Sequence, residues 1–339
     1  MTVARTDLLV LGSGSLARAL CTGIATVADQ DTTVAVLARN EGAAAQAAYL
    51  ASVRAAQTGR PARFTGSGGD LTDADRLGDA VAQARVVVQC ASLHSPWNAS
   101  PARKALVASA GFGVTLPLQA RLAVQTATAI QRTGSAALMV NACYPDAVNP
   151  LLHRLGLPVF CGLGNVATLA AGLRTQRPDG HLALLAHHDH LHAPEDPADE
   201  ALAWLDGAAV AEVGKLLATH RRTDRRLLNQ VAGFAAAALL TAVLAGRETA
   251  ANLPGPLGRP GGYPVRVTGS HIALDLPPGW DEPAAIAWNE RAAAREGIAI
   301  GADRVRFTGS AAPALAAYGL GGGFAVEDVI AVADRLTAT

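Results

Sequence analysis

The sequence predicts an α/β protein in which a doubly wound parallel sheet is followed by an α+β segment. Short apolar runs alternate with helical patterns through the first 160 residues, an order typical of a parallel sheet with helical crossovers. A glycine-rich turn follows the first apolar run. After about residue 160, long helical patterns precede several strand-like runs. We therefore expect one domain over residues 1–160 and a second over residues 161–339.

In the first part, strands are predicted where Val and Leu are dense, and helices where apolar residues recur at helical spacing. The predicted strands are Leu8–Leu11, Thr33–Leu37, Arg85–Cys90, Ala136–Val140 and Val159–Gly162. The predicted helices are Ser15–Val27, Ala43–Gln57, Leu77–Gln83, Arg103–Ala110, Leu118–Arg132 and Asn149–Leu155. The crossovers between these strands should be right-handed.

The second part predicts long helices followed by strand-like runs, the pattern of an α+β unit. The predicted helices are Glu200–Thr219, Arg226–Ala245, Pro283–Glu296 and Val326–Leu336. The predicted strands are Pro264–Val267, His271–Leu276 and Arg304–Thr308, after a Gly/Pro-rich link over Asn252–Tyr263. The stretch Val231–Ala245 is Ala-rich and shorter than a membrane span, so we expect a buried helix there.

Composition and charge argue against several classes of protein. The chain has 28 basic and 28 acidic residues and no long Lys/Arg run, so we expect no nucleic-acid partner. The four cysteines form no C-x-x-C pair, which favours a reduced, cytoplasmic protein. The polar start Met1–Asp7 leads directly into a strand, so we expect neither a signal peptide nor a membrane partner.

The glycine-rich turn has the pattern of a dinucleotide-binding Rossmann domain. Gly12, Ser13, Gly14, Ser15, Leu16 and Ala17 read G-x-G-x-x-A between a strand and a helix. In this pattern the first glycine permits the tight turn and the second admits the pyrophosphate. The small third residue lets the helix pack on the sheet, and the helix N-terminus faces the phosphates. A glycine turn that has lost its cofactor is the alternative.

The end of the second strand predicts which nicotinamide cofactor binds. NAD-binding domains usually carry an acid there for the ribose hydroxyls, whereas this strand ends in Ala38, Arg39 and Asn40. Arg39 can pair with a 2′-phosphate, so NADP is expected and NAD remains possible. We place Asn40 and Ala91, which follows the strand Arg85–Cys90, in the same cofactor site.

Four segments resemble the lactate/malate dehydrogenase superfamily. Val140–Asp146 resembles the segment with the N-P-x-[DN] signature, and Gly162–Asn165 resembles G-x-G-T. Ala186–Asp189 occupies the place of G-E-H-G, and Ala102–Leu106 resembles the mobile loop. The resemblance implies a Rossmann domain followed by a substrate and oligomerisation domain. It also implies that His188 is the acid/base and that Arg103 lies on the mobile loop.

One segment departs from this family. The superfamily has an L-D-x-x-R helix whose Asp orients the histidine and whose Arg binds the substrate carboxylate. The corresponding stretch, Ala167–Arg174, contains no acid, and Arg174 is offset. Without that bidentate clamp a 2-oxo acid would be poorly positioned. We therefore expect NADPH-dependent reduction of a carbonyl or imine other than simple lactate or malate substrates. A dinucleotide-binding regulatory protein without catalysis is the alternative.

The histidine-rich segment His187–His192 allows three interpretations. His188 could donate the proton that accompanies hydride transfer, because imidazole titrates near neutral pH. A metal-dependent enzyme would instead use the cluster, with His187, Asp189 and His190 or His192 binding zinc. If the segment is extended, His188, His190 and His192 share one face. The third possibility is a surface loop without a role.

The remaining candidates have weaker support. Asn141 could bind substrate or the nicotinamide amide, or it could cap the next helix; Asp146 and Asn149 are similar. His94 follows a strand at the edge of the sheet where ligands bind, so it could be catalytic or a loop histidine. Trp97 could cover the cofactor or simply pack. His271 is expected to be structural or to lie at a subunit interface. Fold analogy and the Ala-rich helices Glu200–Thr219 and Arg226–Ala245 favour a homodimer or larger assembly.

Overall fold

A parallel sheet forms the centre of the protein, as seen in a computed structural model that describes residues 5–95, 97 and 99–338. Residues 1–4 of the predicted polar start lie outside the described residues. The strands of this sheet are β1 (Thr6–Leu11), β2 (Thr32–Ala38), β3 (Ala62–Gly68), β4 (Ala84–Gln89), β5 (Leu138–Asn141) and β6 (Cys161–Gly162). They lie in the order β3-β2-β1-β4-β5-β6. This is the order of two βαβαβ halves, whose switch point lies between β1 and β4.

Helices cover both faces of this sheet. They are α1 (Ser15–Val27), α2 (Glu41–Thr58), α3 (Ala74–Ala82), α4 (Pro101–Ala110), α5 (Leu116–Thr133) and α6 (Pro145–Arg154). Leu8 of β1 lies between Val34 of β2 and Val86 of β4. Because both faces are covered, β1 is an apolar run rather than an alternating one. Side chains of Asn40, Asp73 and Ser100 cap α2, α3 and α4.

The second part of the chain adds small antiparallel sheets and six more helices among the described residues. Its strands are β7 (Leu182–Leu185), β8 (Leu202–Leu205), β9 (Ala208–Ala209), β10 (Glu248–Pro254), β11 (Gly262–Thr268), β12 (His271–Leu274), β13 (Ile298–Ile300), β14 (Arg304–Phe307) and β15 (Phe324–Ala325). Its helices are α7 (Asn165–Arg174), α8 (Val213–Arg222), α9 (Arg225–Leu244), α10 (Glu282–Arg295), α11 (Ala311–Ala316) and α12 (Val329–Ala338). These strands form three sheets of three. The predicted α/β sheet followed by an α+β segment is confirmed.

Several elements differ from the predictions, and the strands β7, β10, β13 and β15 and the helix α11 were not predicted. The expected helix Glu200–Thr219 contains the hairpin β8–β9 and only part of α8. Its turn, Asp206-Gly207, has φ of 51° and 81°, the backbone of a tight two-residue hairpin turn. The strand β3 was not predicted, because as an edge strand it alternates buried and exposed positions and contains two glycines.

The helix α9 packs across α1 through glycines. A Cβ on Gly23 would lie 2.8 Å from Ala237 Cβ, and one on Gly233 would lie 2.5 Å from the Ala19 backbone. Side chains at these positions would push the two helices apart. By length and composition α9 could cross a membrane, but half of its apolar stretch is buried inside the protein. We interpret it as the predicted buried helix.

The cores on the two faces of the sheet each contain residues from both parts of the chain. On one face Leu8 and Leu20 pack in a cluster that includes Leu240 and Tyr263. On the other face, Leu9 and Leu122 of the first part pack in a cluster with Ile298 and Leu336 of the second part. The second part therefore helps to bury the main sheet, and the domain boundary at residue 160 remains a prediction.

Candidate active site

The glycine turn lies at the switch point of the sheet, against the loop that follows β4. Gly12 has φ of 108°, and its N–H donates to Leu37 O at 2.8 Å. A Cβ on Gly12 would lie 3.1 Å from Ala91 Cβ. The first glycine is thus required by both backbone conformation and space. The structure brings Gly12 and Ala91 together, as expected for the two sides of one crevice.

The start of α1 fits a phosphate group. Gly14 precedes the first residue of α1, no side chain caps this end, and its first turn contains no acid. A Cβ on Gly14 would meet nothing within 4 Å, so the space above this backbone is open. Ala17 is 1% exposed, which leaves little room for a larger side chain. The uncapped N–H groups and the helix dipole suit an anion.

Neighbouring side chains hold this loop in place. Arg18 donates from Nη1 to Ser13 O at 2.9 Å. Asn229 of α9 donates from Nδ2 to Ser15 Oγ at 2.7 Å. Leu16 is partly buried at the start of the helix. The loop expected to bind the pyrophosphate is therefore hydrogen-bonded to α9 through Asn229. The sequence did not predict this contact.

Arg39 and Asn40 have different surroundings. Asn40 Oδ1 accepts the N–H of Ala43 at 2.9 Å and caps α2. Arg39 is exposed. Hydrogen bonds from Thr72, and more weakly the charge of Arg39, lower the pKa of Asp70. Arg39 therefore lies near the edge of the sheet next to the loop after β3, while the Asn40 side chain is occupied within α2.

The histidine-rich segment is a short turn rather than an extended strand. His188–Leu191 form a 3₁₀ turn that begins after His187. His187 N–H donates to His190 Nδ1 at 2.9 Å, and His190 Nε2 bonds with Asp199 O at 2.9 Å. The His190 ring also stacks on Trp288 with centroids 4.9 Å apart. These contacts make His190 a structural residue.

The turn separates the side chains that a metal site would need together. His192 points elsewhere, where its Nε2 lies 2.8 Å from Arg225 Nη2. Within the described ranges, no group of three His, Cys, Asp or Glu side chains is placed to hold a metal ion. The segment is not extended, so His188, His190 and His192 do not share one face as that hypothesis required.

The His188 pocket, as we call its surroundings, is formed by side chains from three other segments of the chain. Its Nδ1 contacts Glu296 Oε1, and its backbone N–H donates to Asp146 Oδ1 at 3.0 Å. Phe112 stacks on the imidazole with centroids 4.3 Å apart, and Tyr144 meets it edge-on at 5.3 Å. The side chain is 8% exposed. Among the described residues, none forms a hydrogen bond with its Nε2.

The pocket contains two buried carboxyl groups, one with a lowered pKa and one with a raised pKa. Burial alone would raise the pKa of Glu296, but the charge and hydrogen bond of His188 bring it down to about 2. Burial raises the pKa of Asp146 to about 7, against the charge of His188. Burial also lowers the pKa of His187 to about 3, so this ring is neutral. His188 thus faces one ionised carboxylate.

The pocket lies at the ligand-binding edge of the sheet. Asp146 is in the first turn of α6, which follows β5 closely. Asn141, the last residue of β5, donates from Nδ2 to Asn149 Oδ1 at 2.9 Å and accepts the Cys143 N–H at the same distance. It therefore organises the turn between β5 and α6. That turn brings Asp146 to the carboxyl end of the strands.

Other predicted residues have partners other than His188. Arg103 of α4 donates from Nη2 to Leu336 O of α12 at 3.1 Å. His94 is buried and lies edge-on to Phe112 with centroids 6.0 Å apart. Burial, and then the charge of Arg103, lower the pKa of His94 to about 4. Arg226 lies 5.9 Å above the Trp97 ring.

The sequence did not predict the side chains that surround His188. Glu296 is 108 positions from His188 in the chain, and Phe112 comes from the segment after α4. No local motif marks either residue. Tyr144 had one signal, because it belongs to the segment that resembles the N-P-x-[DN] signature. Its φ of 46° is unusual for an aromatic residue and such strain is often found at functional sites.

Solved structures of malate and lactate dehydrogenases share this architecture. The apo malate dehydrogenase from Picrophilus torridus matches with a TM-score of 0.57 and 13% identity, with 99% of each chain covered. A lactate dehydrogenase from a Medee basin deep-sea metagenome library has a TM-score of 0.55 and 12% identity, covering 86% of this chain and 96% of that chain. The malate dehydrogenase from Archaeoglobus fulgidus, in complex with NADH, has a TM-score of 0.53 and 14% identity, covering 85% and 96%.

Sequence comparison alone finds no relative. No protein-family model matches the chain, and no curated protein matches it. The structural likeness extends over almost the whole chain, from the glycine turn to the C-terminal helices. The chain therefore has the fold of the lactate and malate dehydrogenases, as the sequence predicted.

Proposed function

We propose that the protein is a nicotinamide-dependent reductase of a small carbonyl or imine, with His188 as the proton donor. The observation that carries the proposal is the buried His188–Glu296 pair at the carboxyl edge of a sheet with the Rossmann strand order. A glycine turn that fits a pyrophosphate lies at the same edge. The solved structures of this fold support the proposal, because they are named malate and lactate dehydrogenases.

The chemistry needs a hydride and a proton. A bound nicotinamide would supply the hydride to the substrate carbon. His188 would donate its Nε2 proton to the carbonyl oxygen or imine nitrogen, so that the double bond is reduced by one hydride and one proton. Phe112 and Tyr144 hold the ring between them and exclude water from it. In the reverse direction, Nε2 would take the proton back.

We propose a substrate other than lactate or malate. Arg174 is the one arginine in α7, and its Nη1 donates to Pro178 O and Asp179 O at 3.4 and 3.2 Å. These bonds hold it at the end of its own helix. No acid from α7 contacts His188 among the described residues, and Glu296 occupies its Nδ1 instead. The site therefore differs from the L-D-x-x-R pattern both in its arginine and in the acid that contacts the histidine.

Oxidation of NADPH or NADH with a panel of oxo acids, aldehydes, ketones and imines tests the proposal. We expect turnover with at least one substrate class. Transfer of deuterium from cofactor labelled at C4 to the product carbon would establish hydride transfer. Cofactor binding without turnover across the panel would favour the regulatory alternative. Activity that a chelator abolishes would favour a metal-dependent enzyme and contradict this mechanism.

We further propose that the protein forms a homodimer through α2 and α9. Both helices pack on α1, and they expose large apolar side chains: Tyr49, Leu50, Val53, Leu227, Val231 and Phe234. The three on α9 recur at intervals of four and three residues, so they form one stripe. Such a stripe can bury itself against a second copy in an isologous interface.

Light scattering during gel filtration tests the dimer. Phe234 is 51% exposed, so Phe234→Glu should fold normally but shift the wild-type dimer to a monomer. Gln230→Glu adds the same charge to an exposed polar position of α9 and should leave the dimer intact. A monomeric wild-type protein at micromolar concentration would contradict the proposal.

A further inference from the structure

We infer that Glu296 is the positioning residue of the acid–base site, holding Nδ1 of His188 so that Nε2 faces the substrate. This inference rests on the proposed function for its catalytic meaning. The arrangement itself does not depend on that function. Glu296 follows the last residue of α10, far in sequence from every segment that resembles a known motif.

The contacts of the carboxylate support this role. Oε1 contacts His188 Nδ1, and Oε2 accepts the hydroxyl of Tyr144 at 2.7 Å. His187 Nδ1 lies 3.5 Å from Oε2. The Glu296 side chain is 5% exposed. A buried carboxylate is stable only when hydrogen-bonded and paired, and here both oxygens have partners.

The backbone fixes the carboxylate in position. Glu296 O accepts the N–H of Gly113 at 2.9 Å, and a Cβ on Gly113 would lie 2.8 Å from that oxygen. Gly297, with φ of 93°, turns the chain directly after it. Because the backbone is held on both sides, the carboxylate does not need to reorganise when His188 changes charge. This preorganisation is what catalysis by a charged group requires.

Tyr144 completes the arrangement. Its φ of 46° lies in the left-handed region, which is unfavourable for an L-residue, so surrounding contacts must maintain it. The hydroxyl bond to Glu296 and the packing against Phe112, with centroids 4.8 Å apart, supply these contacts. The second carboxyl group, Asp146, accepts the backbone N–H of His188 and not a ring nitrogen. Ring orientation therefore depends on Glu296.

This geometry determines which atoms of the His188–Glu296 pair carry protons before and after donation. The charged ring would carry protons on both nitrogens, with the Nδ1 proton toward Glu296 and the Nε2 proton toward the substrate. After donation from Nε2, the ring is neutral with its proton on Nδ1, and Glu296 remains ionised. The carboxylate takes no proton in either direction. It sets the tautomer and stabilises the charged ring.

Three variants test the inference. Glu296→Gln keeps the shape but loses the charge, Glu296→Asp keeps the charge, and Glu290→Gln changes an exposed glutamate on the same helix. We expect turnover to fall by about 10²-fold or more in Glu296→Gln, with partial recovery in Glu296→Asp. Glu290→Gln should behave as wild type. Cofactor affinity should be unchanged in all three.

The pH profile separates positioning from general stability. Reduction requires the charged ring, so turnover falls as pH rises. In Glu296→Gln this fall should occur at lower pH, because the imidazolium has lost its counter-charge. The other charged or titratable groups around the pair are unchanged in the variant; they are Tyr144, Asp146, His187, Asp189, His192, Arg225 and Arg295. An unshifted profile would contradict the inference.

Nitrogen NMR of the wild-type histidines gives a readout that needs neither activity nor a folded variant. We expect neutral His188 to carry its proton on Nδ1, and the Nδ1 proton to resonate far downfield. A neutral ring protonated on Nε2 would overturn the inference even if the enzyme is active. If no substrate turns over but the Nδ1 tautomer is found, the proposed function fails while the positioning by Glu296 stands.

Discussion

The glycine turn and the His188 pocket lie at the same edge of the sheet, but they are built in different ways. The turn consists of consecutive residues, Gly12 to Ala17, and its requirements are local: one positive φ and an uncapped helix start. The pocket joins His188 to Phe112, Tyr144 and Glu296 from distant parts of the chain. A site made of neighbouring residues can be recognised in sequence, whereas an assembled site depends on how the elements pack.

The largest expected effect concerns the assembled pocket. His188→Ala should reduce turnover by about 10²–10⁴-fold, the usual contribution of general acid–base catalysis, with cofactor affinity nearly unchanged. His271→Ala, at an exposed position on β12, is the control. Steady-state kinetics and cofactor titration measure both quantities. Full turnover in His188→Ala would mean that the pocket is not the acid–base site.

The next effect concerns stability and pH. Asp146 has its folded pKa raised to about 7 from 3.8, so the folded protein holds a proton that the unfolded chain releases. This stabilisation is complete below pH 3.8 and is lost as pH rises to about 7. Asp146→Asn can still accept the His188 N–H and avoids this loss.

Denaturant unfolding across this pH range measures the difference. The free energy of unfolding of Asp146→Asn relative to wild type should increase by about 4 kcal/mol between pH 3.8 and 7, because three pKa units correspond to about 1.4 kcal/mol each, and then level off. A constant difference between the two proteins would show that Asp146 titrates normally. Asp70→Asn, at an exposed carboxyl group near the glycine-turn edge, should show no such increase.

Two glycines of the turn should respond differently to the same change. Gly12→Ala introduces a side chain at φ of 108° and 3.1 Å from Ala91, so it should destabilise the protein by about 1–3 kcal/mol. Gly14→Ala meets nothing within 4 Å and should leave the stability of the cofactor-free protein unchanged. It should weaken dinucleotide binding, because its methyl group enters the space for the pyrophosphate. Equal melting temperatures for the two variants would contradict this division.

The smallest expected effect is on cofactor choice. Arg39→Ala should weaken NADPH binding by about tenfold through loss of a charge-assisted hydrogen bond, while NADH binding changes little. Arg54→Ala removes another exposed charge, from α2, and should affect neither cofactor. Isothermal titration with both cofactors measures the difference. Equal losses for NADPH and NADH would remove the basis for an NADPH preference.

The sequence predictions were most accurate where the signals lie in neighbouring residues and least accurate where distant segments meet. Helix α1 was predicted to the residue, because its glycine turn and apolar spacing are local signals. The hairpin β8–β9 was missed although Asp206-Gly207 is a local turn signal, since the Ala-rich surroundings resemble a helix. His188 was predicted through a family resemblance, but its surroundings were not. The extended conformation considered for its segment is not adopted, because the backbone turns there and its N–H groups bond to the His187 and His190 side chains.

The sequence by itself determined the alternation of strands and helices, the glycine turn and the absence of an acid after β2. Each depends on side chains within a few residues, where spacing along the chain dictates spacing in space. Only the tertiary structure decided which carboxylate meets His188. The helix α7 offers no acid there, and Glu296 reaches Nδ1 because α10 ends against residues 111–113. Contacts across 108 positions arise from packing of whole elements, which no local pattern encodes.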